Sequence, residues 1–265
     1  MVVAPLWQAG RIVHWVRMLS WLVAAGGLLF GSGCSTKPQP GLPPLDAPSW
    51  RVELPVDGFE PAVVALPLGA RAPRPIVVVL HGERDKAEWQ CGSFRGLFGG
   101  QVFIVCPRGV RGEGGTYGLG RFDDRIAELR GGLAALKARF GAHVAKSSVV
   151  LVGYGEGAAL AAELLRQEPS FFARVALVNG EPAALTPSAA KIFAERGGKR
   201  VLVFCTTDAC HEEASQRALW LSRSGAQAKI AKASVGPYLD AAFVDALRGE
   251  LPWLLDGDAR FTSSR

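Results

Sequence analysis

The chain has 265 residues, 49% of them hydrophobic and 20% charged, with 32 Gly and 17 Pro. This composition excludes a disordered, collagen-like or polytopic membrane protein. The formal charge of +6 includes Arg11 and Arg17, which lie in an acid-free stretch, so residues 34–265 carry 28 basic against 24 acidic residues, or +4. So mild and scattered a charge, without a basic run interleaved with aromatics, predicts no nucleic-acid partner.

Residues 1–33 have the layout of an export signal: a basic segment with Arg11 and Arg17, an apolar run Met18 to Phe30, and the small residues Gly31, Ser32 and Gly33. Thirteen apolar residues are too few to span a bilayer as a free helix. Cys34 follows at once, and after it Ser35, Thr36 and a Pro-rich stretch to Pro48. This arrangement resembles a bacterial lipoprotein signal, in which a cysteine after small residues is lipidated and becomes the new N-terminus. It departs from that pattern at Gly31, where such signals usually carry Leu. The resemblance implies an exported protein held on the envelope membrane by a lipid on Cys34. Residues 34–48 would form a tether, with Lys37 to Pro48 a semi-rigid extended spacer, and 49–265 the globular domain.

Export places the remaining four cysteines, Cys91, Cys106, Cys205 and Cys210, in an oxidising compartment. Four cysteines allow three pairings. Cys91 with Cys106 and Cys205 with Cys210 are favoured, because each pair is close in sequence and includes a cysteine at the end of a probable strand. Cys205, Asp208, Cys210 and His211 could also be read as a metal site, but their spacing fits no strong zinc pattern, and neither a metal nor a cofactor is expected.

Short apolar runs bounded by Gly and Pro predict strands over 50–55, 62–66, 76–80, 102–106, 149–152, 175–178, 201–205 and 228–233. Most of the later ones are apolar throughout, as in strands buried on both faces. Helices are expected at Phe122 to Phe140, where Ile126, Leu129, Leu133, Leu136 and Phe140 recur at helical spacing, after Gly155, and over 212–222 and 241–255. The alternation predicts an α/β domain with a mostly parallel sheet covered on both faces and opened by a short antiparallel pair. Function then has to be sought in the turns after the strands.

Three turns carry information. Pro75-Ile-Val-Val-Val-Leu-His81-Gly82 puts His-Gly at a strand end, Val149-Val-Leu-Val-Gly153-Tyr-Gly155-Glu-Gly157 is a strand, a glycine turn and a helix start, and Val201-Leu-Val-Phe-Cys-Thr-Thr-Asp208 puts an acid beyond a late strand. In their order and spacing, over roughly residues 52–255, these resemble the α/β-hydrolase fold, and within it the dienelactone-hydrolase and serine-esterase-like members. The resemblance implies a G-x-S-x-G turn whose serine attacks, a histidine that takes its proton, and an acid that orients the histidine.

Here the serine position is Gly155, which has no side-chain atom to attack with. The histidine is expected in a loop before the last helix, which reads Gly236-Pro237-Tyr238-Leu239-Asp240, so Pro237 stands there, or Tyr238 if the register slips by one. Asp208 matches as a vestigial acid. Of the other histidines, His81 is read as structural, His143 as lying at the far end of the sheet, and His211 as bordering a helix that starts at Glu212. By the resemblance the oxyanion-hole donors would be the backbone N–H groups of Glu83 and Glu156, which depend on the turns and not on the side chains. The expected function is that of a non-catalytic α/β-hydrolase-fold lipoprotein binding a small ligand or an envelope protein. The alternative is an ester or acyl hydrolase with an atypical site.

Overall fold

The structure, a computed structural model, describes residues 41–146, 149–168 and 171–262. The leader and Cys34 lie outside the described residues. An eight-stranded sheet runs in the order β1-β2-β4-β3-β7-β8-β9-β10. Its strands are β1 (Arg51–Val56), β2 (Phe59–Ala65), β3 (Ile76–Leu80), β4 (Phe103–Cys106), β7 (Val150–Tyr154), β8 (Arg174–Val178), β9 (Arg200–Cys205) and β10 (Gln227–Lys232). From β4 to β10 every pairing is parallel, while β1 pairs antiparallel with β2, and β2 with β4. A separate two-residue hairpin joins β5 (Val110–Arg111) and β6 (Tyr117–Gly118).

The apolar runs form central strands because both faces are covered. In β3, Ile76, Val78 and Leu80 turn to one apolar layer and Val77 and Val79 to the other, the two-residue period of a pleated strand. The first layer is closed by α2 (Phe122–Phe140), α3 (Glu156–Gln167), α4 (Pro187–Glu195) and α5 (Asp208–Arg223), through residues such as Leu133, Leu164, Phe193 and Leu221. The second is closed by α1 (Ala87–Leu97) and α6 (Ala241–Leu255), through Phe94, Phe243 and Leu247. A four-residue α7 (Ala259–Thr262) follows, with the Phe261 ring 6.2 Å from Phe98.

Helices α1 and α4 and the β5–β6 hairpin were not anticipated from the sequence. Helix α5 starts at Asp208, four residues earlier than expected, because the Thr207 hydroxyl accepts from the Cys210 N–H and caps it. His211 therefore sits inside the first turn of α5 instead of bordering it. Residues 41–48 pack on the domain. Leu42 N–H and Leu45 N–H donate to the Arg71 and Ala70 carbonyls, and Leu45 is buried.

Candidate functional site

The chain passes from β7 to α3 through a single residue, Gly155, with φ 57° and ψ −123°. Its N–H donates to the Val178 carbonyl and its carbonyl accepts from Ala158 N–H, at 2.9 and 3.0 Å. Packing demands the glycines around it. A Cβ on Gly153 would fall 2.2 Å from the Gly157 oxygen, one on Gly157 2.2 Å from the Leu80 oxygen, and one on Gly180 2.0 Å from the Gly155 oxygen. At Gly155 the nearest atom to a Cβ would be the Gly82 Cα at 3.6 Å, ordinary van der Waals contact. The turn is thus tight on both sides and open at its tip.

The loop after β3 supplies the second wall. His81 is buried, with Nδ1 2.6 Å from the Gly82 oxygen and Nε2 2.7 Å from the Arg108 oxygen. Carbonyl oxygens only accept, so the ring serves here as a donor that ties this loop to the one after β4. That second loop is fixed from below by Glu128, fully buried on α2, which accepts from the N–H groups of Arg108 and Gly109 at 2.9 and 3.0 Å and pairs with Arg125. The Arg108 guanidinium in turn reaches Glu53 and Glu88, each at 2.5 Å. The N–H groups of Glu83 and Glu156 donate to no other described residue.

The third wall is the loop after β10. The Tyr154 hydroxyl donates to the Pro237 carbonyl, which brings residue 237 beside the glycine turn. Burial pushes the Tyr154 phenol above its ordinary pKa, and the charges of Asp85 and Tyr238 act the same way, so Tyr154 stays a neutral donor. Asp208 is exposed and ion-paired with Lys232, whose hydrogen bond holds the carboxyl below the usual aspartate range.

No family model matches the sequence, and no curated protein matches it. Solved structures do. Esterase PE8 superposes with a TM-score of 0.55 at 20% identity, over 77% of this chain and 100% of its own. A carboxylesterase from Mesorhizobium loti gives 0.56 at 18% identity, over 77% and 99%, and ferulic-acid-bound Est1E from Butyrivibrio proteoclasticus gives 0.56 at 12%, again over 77% and 99%. The chain has the α/β-hydrolase fold. At such identities the likeness concerns the fold alone.

On this α/β-hydrolase fold the turns singled out in the sequence meet at one end of the sheet, where β3, β7 and β9 finish. Gly155 lies against Gly82, next to Glu83, and Pro237 is tied to Tyr154. Asp208 stands three residues past β9, beside Lys232 at the end of β10, because Lys232 pairs with Cys205 in the parallel register. His143 lies at the opposite end, its carbonyl bonded to Arg74 N–H ahead of β3. Cys91 is bonded to Cys106 and Cys205 to Cys210, which consumes both thiols of the alternative metal reading. Among the described residues no group of three or more His, Cys, Asp or Glu could hold a metal ion.

Three participants escaped the sequence reading. Lys232 and Tyr154 find their partners 24 and 83 positions away, and Glu128 is one carboxylate in a helical run, with nothing local to mark its burial. Under His81 the enclosed space is about 10 Å³, room for a single water. Open grooves of about 670 and 910 Å³ lie at the other end of the sheet, lined by Arg200 and Gln227, which begin β9 and β10, and by Leu97 and Val102, which lead into β4.

Proposed function

We propose that this is a non-catalytic α/β-hydrolase-fold lipoprotein of the bacterial envelope, kept for binding a small ligand or another envelope protein. The observation that carries the reading is Gly155, which holds a left-handed φ at the tip of an open turn and has no atom that could attack a carbonyl. The surroundings agree with it. His81 is tied to the Arg108 carbonyl, Pro237 offers only its carbonyl to Tyr154, and Asp208 is engaged by Lys232.

A proton relay needs a nucleophile, a base within hydrogen-bond reach and an oriented acid. Of these only the acid has a side chain here that can hold or release a proton, and its partner is a lysine. The N–H groups of Glu83 and Glu156 remain as donors, but their carboxylates disfavour an anion beside them. Two disulfides support an oxidising compartment, in keeping with export and with lipid on Cys34. Hydrolysis of p-nitrophenyl esters over a chain-length series tests the reading. Rates at the buffer background are expected for every ester, and saturable turnover of any of them would overturn it.

A further inference from the structure

The described domain is entered from one end of its sheet. Leu42 and Leu45 are hydrogen-bonded to Arg71 and Ala70 ahead of β3, Pro43 accepts from the His143 ring, and β1 begins with Arg51 opposite Ala65, the last residue of β2. All of these lie where the parallel strands start, which is the end opposite Gly155. Cys34 is seven residues before Gly41, a reach of at most about 25 Å even when fully extended. A domain of this length is about 45 Å across.

The same end carries most of the exposed positive charge that has no ion pair among the described residues. Arg71 precedes β3, Lys137 and Arg139 close α2, Arg196 follows α4, Lys199 precedes β9 and Arg223 closes α5. All six are exposed, and none has a carboxylate within ion-pair distance among the described residues. The acids near them are mostly engaged, Glu195 by Lys191, Asp256 by Arg200, and Asp258 by Arg174 and Arg260. At the Gly155 end the balance reverses: exposed Glu83, Asp123, Asp124, Glu156, Glu181 and Glu212 have no ion pair among the described residues, against exposed Arg84 and Arg121. Basic last turns and acidic first turns suit the helix dipoles, but that preference does not explain Arg71 or Lys199, which belong to no helix.

We infer that the strand-start end of the domain is a docking surface for an anionic lipid bilayer, which holds the Gly155 end away from the membrane. The inference rests on the lipid-anchor reading above. A tether shorter than the domain leaves from the cationic end, so that end is the one kept within reach of the headgroups, and the acidic end is repelled from them. Each cation brought near an anionic surface strengthens the attraction by about fivefold, and the effect falls away as the screening length shortens in salt.

The test uses the lipidated chain reconstituted in vesicles of phosphatidylcholine with or without phosphatidylglycerol. A fluorophore is placed on Ser222→Cys at the strand-start end or on Tyr238→Cys at the other, with an acceptor dye on the headgroups. Energy transfer from position 222 is expected to exceed that from 238 in anionic vesicles, and the gap should shrink in neutral vesicles, in high salt, and when the six cations become Gln. Equal transfer from both positions in anionic vesicles at low salt, or a gap indifferent to salt and lipid charge, overturns the orientation. The salt and lipid arms need no substituted cation, so they hold even where the sixfold variant folds poorly. Intact mass separates the two claims, because a chain without lipid removes the anchor and this orientation together, whereas a lipidated chain with equal transfer removes the orientation alone.

Discussion

A Cβ at Gly155 would meet the Cα of Gly82 at 3.6 Å, while its neighbours Gly153 and Gly157 would each drive a Cβ to 2.2 Å from a backbone oxygen. Two different needs for glycine therefore stand side by side in one turn. Gly155→Ala should cost about 1 kcal/mol through its positive φ. Gly153→Ala and Gly157→Ala should each cost more, because backbone has to move. Urea unfolding of the three variants checks the order, and equal losses would show that the tip is as crowded as its flanks.

Asp208 owes its lowered pKa first to the hydrogen bond from Lys232 and then to the charges of Lys232 and His211. A depressed carboxyl stabilises the fold above its unfolded value of about 3.9 and loses that contribution as pH falls through the folded value. Lys232→Met should therefore raise the Asp208 titration midpoint toward the ordinary aspartate value, with little change in stability at neutral pH, since the pair is exposed. Carboxyl carbon shifts followed by NMR report the midpoint.

Glu128 has no exposed surface and three backbone or guanidinium donors around it. Glu128→Ala leaves the buried Arg125 without its carboxylate partner and frees the loop that carries the Arg108 carbonyl. A loss of about 3–5 kcal/mol is expected, read by denaturant unfolding. A loss below the usual single-mutation range would mean that the loop is held by other contacts.

The Cys91–Cys106 bridge closes a 15-residue separation and Cys205–Cys210 one of 5. Chain-entropy arguments assign them about 3 and about 2 kcal/mol. Alkylation without a reductant should label none of the four, and Cys91→Ala with Cys106→Ala should lower stability more than Cys205→Ala with Cys210→Ala.

The central strands and the helices at 122–140 and 241–255 could be read in the sequence because their hydrophobic period and their burial agree. Helix α1 was hidden by Gly92 and Gly96, each of which weakens a helix by about 1 kcal/mol relative to Ala, and by Gln90 on its buried face. Helix α4 carried a legible start, Thr186 capping Ala189 with Pro187 in the first turn, but only nine residues to show a period. The glycine turn was visible because Gly153, Gly155 and Gly157 stand together between an apolar strand and a helix, although the Leu80 and Gly82 backbone they pack against is remote in sequence. The grip of Lys232 on Asp208 and of Tyr154 on Pro237 depends on strand register, which no local pattern encodes.

A fluorophosphonate probe tests whether Gly155 and Pro237 leave this fold without hydrolase chemistry. Intact mass after incubation should show the wild-type protein unmodified. The Gly155→Ser, Pro237→His double variant should gain one phosphonyl group, because it restores a hydroxyl on the turn and an imidazole beside Tyr154, while each single variant reacts little. Stoichiometric uptake of the probe by the wild-type chain would show a working nucleophile and overturn the non-catalytic reading.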